Sequence, residues 1–379
     1  MDILRTAPYT GAMYLHERKD WTNFTWDDSA LAPLVAKVCF AQGLLLGKMS
    51  DIGFDLEAAA EADVLSSEVL ASSRIEGVAL DAAKVRSSVS RQLGIEESEP
   101  ASDTREADGA VALIFEAVKN CNEPLSHERL WGWHNVLFPT AYSGLRKIKV
   151  AQYRDRSMQV VSGAIGKERV HFEALAPGSV ESAMDDFIAW FNREESFDAV
   201  IKAGIAHLWF LTVHPFDDGN GRIARTLTEM LLARSDRSSR RFYSMAEYIY
   251  AHRASYYQEL ERAQKGDSDV TAWLTWFLVA LDASLERSLE DVRAVLERSR
   301  FWKQLESVSL NQRQRLVLER LKGNFEGKLT ASKWAKMCKV SPDTALRDIN
   351  DLIGKGILGR AEGGGRSVSY VLRNAERSS

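Results

Sequence analysis

Cysteine is scarce in this 379-residue chain: Cys39, Cys121 and Cys338 lie far apart and form no C-x-x-C pair. That excludes a disulfide framework and a cysteine-based zinc site, and it fits a reducing compartment. Long apolar runs are missing as well. The most apolar, Leu31 to Gly47, is interrupted by Pro33, Lys37 and Gln42, falls short of the ~20 residues a membrane span needs, and reads as a core helix; no membrane partner is expected. Met1 to Trp26 carries acids and aromatics throughout and lacks the short apolar core and small-residue cleavage site of a leader, so a cytoplasmic location is expected. There is no internal repeat, no low-complexity tract and no Walker A loop: Gly47-Lys48, Gly166-Lys167, Gly327-Lys328 and Gly354-Lys355 are followed by Met, Glu, Leu and Gly.

What is present is an ordinary globular composition, 45% apolar and 27% charged, in a length that suits two or three domains. The charge is unevenly placed. Of the net charge of -4, the stretch from Ser309 to Ser379 carries +7 and everything before it -11, so the two parts should do different jobs. The expected division is an N-terminal helical region (1–104), a second, mostly helical domain (105–304) and a basic C-terminal domain (305–379). Helical spacing is read at Leu31 to Leu46, Leu56 to Ile75, Val111 to Lys119, Glu128 to Leu137, Val180 to Asn192, Val200 to Val213, Ile223 to Arg234, Ala254 to Ala263 and Trp273 to Arg300. Gly94 to Thr104 reads as a loop. Met158 to Val161 and Arg169 to Phe172, separated by Ser162, Gly163 and Gly166, read as a hairpin.

The most informative stretch is His214-Pro-Phe-Asp-Asp-Gly-Asn-Gly-Arg-Ile-Ala-Arg225. Pro215 disfavours the α region for the residue before it, so the preceding helix should end at His214 and present an imidazole there. With an ordinary pKa of ~6.5 that imidazole can take a proton from a hydroxyl, provided a hydrogen bond offsets the pull of the helix C-terminus toward the charged form. Gly219, Asn220 and Gly221 lead into the next helix, whose unpaired amides form a phosphate-sized nest. Arg222 and Arg225 share one helix face and can converge on neighbouring phosphates. Asp218 is a hard oxygen ligand suited to Mg²⁺. Phe216 is read as a loop anchor, Asp217 as a solvated loop residue, and His134 and His207 as buried helix histidines.

This stretch matches the Fic motif, H-P-F-x-[D/E]-G-N-G-R-x-x-R, at every defined position, and the resemblance to the Fic family extends from about Arg105 to Arg300, with Tyr9 to Trp26 similar to the N-terminal extension of some members. The resemblance implies a mainly α fold, a Fic helical core with a β-hairpin flap, and transfer of AMP from ATP to a target-protein hydroxyl with Mg²⁺ required. Carried over, His214 would be the base, Asp218 would hold Mg²⁺ and Gly219, Asn220 and Gly221 would cradle phosphate oxygens. Arg222 and Arg225 would bind the outer phosphates. Gly221 favours AMP transfer over phosphate transfer, because relatives that move phosphate depart from glycine there. The hairpin would align an extended target segment by strand addition.

Ser72-Ser73-Arg74-Ile75-Glu76-Gly77 matches the family's inhibitory pattern [S/T]-x-x-x-E-[G/N], which implies that Glu76, with Ser72, occupies Arg225 and blocks productive ATP binding. Tyr256 and Tyr257 are read as bordering the adenine or as core, with neither reading preferred. A homodimer is compatible with the sequence.

From Ser309 the pattern reads as a winged helix-turn-helix: a helix at Asn311 to Leu321, a second capped by Thr330 and running through Met337, and a third opened by Ser341-Pro342 and running to about Lys355. Gly356 to Leu358, the Gly363 to Arg366 turn and Ser369 to Leu372 supply a wing. Arg347 and Arg366 would reach a duplex, but Asp343, Asp348 and Asp351 put acids on the presumed recognition helix, so protein docking is preferred to DNA binding. The function expected is thus a protein adenylyltransferase restrained by Glu76; the rivals are an ATP-sensing DNA-binding regulator and an enzyme that removes AMP using Glu76.

Overall fold

One helix organises the larger part of the molecule, and its sequence explains why. From Val200 to Val213 every residue is buried, and AVIKAGIAHLWFLTV is apolar all round, as a helix enclosed on every side must be. The computed structural model describes residues 13–50, 54–96, 101, 104–162, 169–322, 325, 327–361 and 368–373. Two compact units result, Met1–Val292 and Arg293–Ser379.

In chain order the first unit opens with α1 (Asp28–Ser50), α2 (Phe54–Ile75), α3 (Ala82–Leu93), α4 (Arg105–Lys119) and α5 (His127–Leu137). Two hairpins follow, β1 (Tyr142–Ser143) with β2 (Arg146–Lys147) and β3 (Gln159–Ser162) with β4 (Arg169–Glu173). Then come α6 (Val180–Asn192), the central α7 (Ala199–Val213), α8 (Asn220–Asp236), α9 (Met245–Ala251), α10 (Arg253–Gln264) and α11 (Thr271–Gln304), whose residues from Arg293 onward fall in the second unit. The segment before residue 104 lies in the same compact unit as α7 and α8: Glu68 of α2, for example, accepts from Ser244 Oγ at 2.7 Å and from the Ala246 amide at 3.0 Å.

Helix α1 is longer than its apolar run suggested. At 23 residues it is the one helix among those described that is long and apolar enough to cross a membrane by length and composition. Its contacts are those of a helix built into the fold. Leu31, Val38, Ala41, Leu45 and Met49 are buried along one stripe, Gln42 donates to Asp236 at 2.7 Å and to Tyr243 at 3.1 Å, and Lys37 pairs with Asp282 and Glu286.

The β3–β4 hairpin is antiparallel, pairs Val160 with Phe172 and is bulged between Val160 and Val161. Gly163 and Gly166 of its tip lie outside the described residues. Its base is fixed by the N-terminal segment: Tyr14 is buried against Met158, Phe172 and Ala174, and His16 Nε2 donates to the Glu173 carbonyl at 2.7 Å.

The second unit contains α12 (Gln312–Lys322), β5 (Leu329–Thr330), α13 (Ala331–Cys338), α14 (Pro342–Gly354), β6 (Leu358–Arg360) and β7 (Ser369–Leu372), with sheet order β5-β7-β6. This is a winged helix-turn-helix, with Thr330 and Ser341 capping α13 and α14 as read from the sequence around a core of Val317, Leu318, Trp334, Ile349, Leu352 and Leu358. The expected wing turn, Gly363 to Arg366, lies outside the described residues. Strand β5 was not expected. One of the three acids on α14 is withdrawn from the surface: Asp348 is buried and accepts from Arg313 Nε at 2.7 Å and from a terminal nitrogen at 2.9 Å, while Asp351, exposed, pairs with Lys355 and accepts from Gln314.

Candidate active site

Helix α7 ends at His214, which adopts a left-handed conformation, φ 52° and ψ 57°, while its amide still bonds the Phe210 carbonyl at 2.9 Å. This is the way out of the right-handed α region that Pro215 enforces. The ring Nδ1 lies 3.3 Å from the Leu211 carbonyl; a carbonyl can only accept, so Nδ1 carries the proton and Nε2 the lone pair. That bond fixes the tautomer and orientation of the ring and leaves Nε2 as its proton acceptor; it is kept in the imidazolium, so it orients the base without offsetting the helix C-terminus.

Arg154, which no local motif marks, fixes the same corner from behind. It is buried; its Nε donates to the His214 carbonyl at 2.7 Å, one terminal nitrogen to Val213 at 3.2 Å, and its amide to Pro215 at 2.9 Å. Burial pulls its pKa down to about 10, partly offset by Asp217, so it remains a cation satisfied by carbonyls.

The loop after His214 is held rigid from within. Asn220 stitches it shut, its side chain accepting from the Phe216 amide at 2.9 Å and donating to the Phe216 carbonyl at 2.8 Å. Phe216 is fully buried and stacks on His134 at 4.3 Å. Asp217 is not a solvated loop residue but a buried anchor: its carboxylate accepts from the Lys149 amide at 3.0 Å and from Arg156 at 3.1 Å, and its carbonyl from Arg146 at 2.6 Å. His134 donates from Nε2 to the Asp218 carbonyl at 3.1 Å; burial pulls its pKa to about 4, so it is a neutral strut.

Asp218 accepts from the Ser143 hydroxyl and, at 2.6 Å, from the Gly219 amide, so its carboxylate is aimed before any ligand arrives. Gly219 sits at φ 81°, with a would-be Cβ 2.8 Å from the Phe138 ring, so both backbone and space require glycine. Helix α8 then begins, and among the described residues no protein acceptor meets the amides of Asn220, Gly221 and Arg222. Arg222 rests on the Phe138 ring at 4.8 Å with its Nε buried and lacking a hydrogen-bond partner. Amides and a desolvated guanidinium together make a place for an anion.

Arg225 already has one. Its side chain is 3% exposed; Nε donates to Ser72 Oγ at 2.8 Å, and a terminal nitrogen to the Ser72 carbonyl at 2.9 Å and to Glu76 Oε1 at 2.8 Å. Burial works against the Arg225 charge, but Glu76 outweighs it and the pKa moves up. Glu76 lies in the turn just past the end of α2, and its carboxylate, 31% exposed, sits directly above Gly221.

Tyr256 does not face an open pocket. It is 1% exposed, its hydroxyl and His207 Nε2 are 2.8 Å apart, and its ring packs on Trp276. It is a core residue behind Arg225, because a ring this enclosed has no face left for a purine. Tyr257, 40% exposed and 5.0 Å from it, retains an open side. His207 is the buried histidine expected: Thr228 and Tyr256 take its two nitrogens, and burial pulls its pKa to about 3.

The Fic/DOC family profile matches residues 124–232, a domain of unknown function (DUF4172) matches 14–95, and a DeoR-like helix-turn-helix domain matches 313–371. Over 93 residues, 24% of this chain and 17% of the relative, the protein is 38% identical to protein adenylyltransferase Fic of Culex quinquefasciatus. Over 226 residues, 59% of this chain and 41% of the relative, it is 26% identical to the protein of the same name from Aedes aegypti. The chain thus spans less than half the length of either. A crystal structure of a Fic family protein from Desulfovibrio desulfuricans G20 covers 92% of this chain and 97% of its own at a TM-score of 0.53 and 17% identity, a likeness of fold.

Proposed function

The chain carries a Fic/DOC domain, and from that premise we propose that it is a cytoplasmic protein adenylyltransferase, held in check by its own Glu76, that moves AMP from ATP to a Ser, Thr or Tyr hydroxyl of a target protein and releases pyrophosphate. His214 Nε2 takes the hydroxyl proton as the oxygen attacks the α-phosphorus. The amides of Asn220, Gly221 and Arg222 and the Arg222 guanidinium receive the phosphate oxygens, which accords with a transfer that needs mainly in-line placement and charge neutralisation. Among the described residues no group of three His, Cys, Asp or Glu could hold a metal ion. The donor set at Asp218, one aimed carboxylate, fits Mg²⁺, which completes its shell from phosphate and water and, when bound, neutralises phosphate charge. The β3–β4 hairpin is a two-stranded sheet, and an extended target segment would add along its edge.

The observation that carries the reading is the seat of Glu76 on Arg225, 2.8 Å away in a site otherwise prepared for an anion. A carboxylate and a γ-phosphate compete for the same guanidinium. The test is ATP labelled at the α-phosphate with Mg²⁺ and cell lysate: Glu76→Gly protein should label protein strongly, wild type weakly, and His214→Ala not at all. Equal labelling by Glu76→Gly and wild type would remove the brake, and no label with any of the three would remove the transferase. An enzyme that strips AMP would instead lose that activity in Glu76→Gly.

A further inference from the structure

The turn bearing Glu76 is only as firm as α2 behind it, and the next face of α2 is the wall of a cavity. Ser67, Leu70, Ala71 and Arg74 of α2, the α9 segment from Ser244 to His252, and Ala283, Ser284 and Arg287 of α11 line a cavity of about 300 Å³ that is open to solvent on one side, at the small end of the ~300–1,000 Å³ typical of ligand sites. Its chemistry is uneven. Two guanidinium groups face one carboxylate, Glu247. Arg287, its side chain 70% exposed, stands 4.0 Å from that carboxylate, at the limit of an ion pair, and the Arg74 guanidinium has no ion-pair or hydrogen-bond partner among the described residues. Beside them Tyr248 and His252 are stacked at 4.0 Å and 21°, and the His252 Nδ1 is taken up by its own helix, donating to the Tyr248 carbonyl at 3.0 Å.

We propose that this cavity binds a small aromatic anion, with its ring against Tyr248 and His252 and its carboxylate or phosphate on Arg74 and Arg287, and that occupancy tightens the Glu76 brake. The anion is called for by the surplus guanidinium charge, which forks onto planar oxyanions. The ring is called for by an existing stack with an apolar floor of Leu70 and Ala71. The sign of the regulation follows from linkage. Arg74 is two residues before Glu76 and two after Ser72, so a ligand bridging Arg74 to α9 and α11 holds the last turn of α2 where Ser72 and Glu76 grip Arg225. A ligand that favours the closed arrangement must weaken ATP binding by the same factor by which ATP weakens its own. Only this coupling rests on the transferase reading; the site itself does not.

The experiment titrates the full chain with 2-naphthoate, 1-naphthyl phosphate and the uncharged 2-naphthalenemethanol by calorimetry, and then measures ATP affinity with and without saturating probe. Saturable 1:1 binding of at least one anionic probe is expected, weakened about tenfold or more in Arg74→Ala and in Arg287→Ala, with no saturable binding of the alcohol. The preferred anion identifies the class of ligand. The bound probe should lower ATP affinity severalfold in wild type and leave Glu76→Gly unaffected. Absence of saturable binding by both anions, or binding indifferent to both arginine substitutions in proteins with wild-type circular dichroism, overturns the site. Binding that leaves wild-type ATP affinity unchanged overturns the regulation. Glu76→Gly protein that takes up no ATP defeats the transferase reading and with it the coupling, while the arginine dependence of probe binding still decides the site.

Discussion

A single methyl group at residue 221 should separate the brake from the anion cradle beneath it. A Cβ built on Gly221 lies 2.0 Å from Glu76 Oε1 and 2.9 Å from its Cδ, so in Gly221→Ala the carboxylate must leave its seat. What it gives up is one charge-assisted hydrogen bond to a buried guanidinium, about 1.5–3 kcal/mol. Arg225 itself stays in place, because both bonds to Ser72 are untouched. The same methyl also narrows the approach of a phosphate to the α8 amides, so the net effect of the single variant on ATP affinity mixes a gain and a loss. A double-mutant cycle separates them. Affinity for ATP with Mg²⁺ is measured by calorimetry in wild type, Gly221→Ala, Glu76→Gly and the double variant. In the Glu76→Gly background the methyl has no carboxylate to displace and can only cost affinity. In wild type it also releases the brake, so the interaction energy should be about 1.5–3 kcal/mol, a factor of roughly 13–160. Additivity within about 0.5 kcal/mol would mean that Glu76 does not rest on Gly221 in solution, and the argument from geometry would fail.

Three further outcomes follow from the same contacts. Arg154→Met removes the donors that hold the carbonyls of Val213 and His214; in the Glu76→Gly background turnover should fall by about 10²-fold with the KM for ATP little changed, and an equal rise in KM would show that Arg154 serves nucleotide binding instead. His207 is buried neutral with its pKa drawn down to about 3, so its contribution to stability is full above its unfolded value of ~6.5 and is lost as pH falls toward 3, at about 1.4 kcal/mol per pH unit. Thermal unfolding between pH 7 and 5 should therefore be steeper for wild type than for His207→Gln, and parallel profiles would refute it. The second unit presents Arg347 four residues after Asp343 on α14, an acid with no ion pair among the described residues, and no retention on random-sequence duplex DNA is expected even at low salt; tight binding that weakens steeply with salt would reassign the unit to DNA.

The parts of the molecule that were legible in advance are those where chemistry is written contiguously. Twelve consecutive residues carry the base, the nest and both arginines, and the long amphipathic or wholly apolar helices announce themselves through spacing. What stayed hidden depends on meetings between distant residues. Helix α3 has only Val85 and Val89 as buried branched aliphatics, the rest of its buried face being Ser87, Ser88 and Ser90, a stripe too polar to register as periodic. Arg154 and Ser143 act on carbonyls and a carboxylate about sixty and seventy-five residues away, and nothing in their local sequence marks them. Asp217 reads as a solvated loop residue because it lies in a short loop between two helices, yet three basic residues from the 146–156 segment converge on it. Tyr256 stays undecided in the sequence for a related reason: spacing cannot tell whether an aromatic residue faces a ligand or the back of the arginine that binds one. Glu76 marks the boundary between the two kinds. Its hexapeptide could be read, but why it inhibits could not, since the inhibition lies in the fit of one carboxylate onto a residue with no side chain, 145 positions further along the chain. That contact ties the size of residue 221 to the reach of residue 76, and only the folded arrangement reveals it.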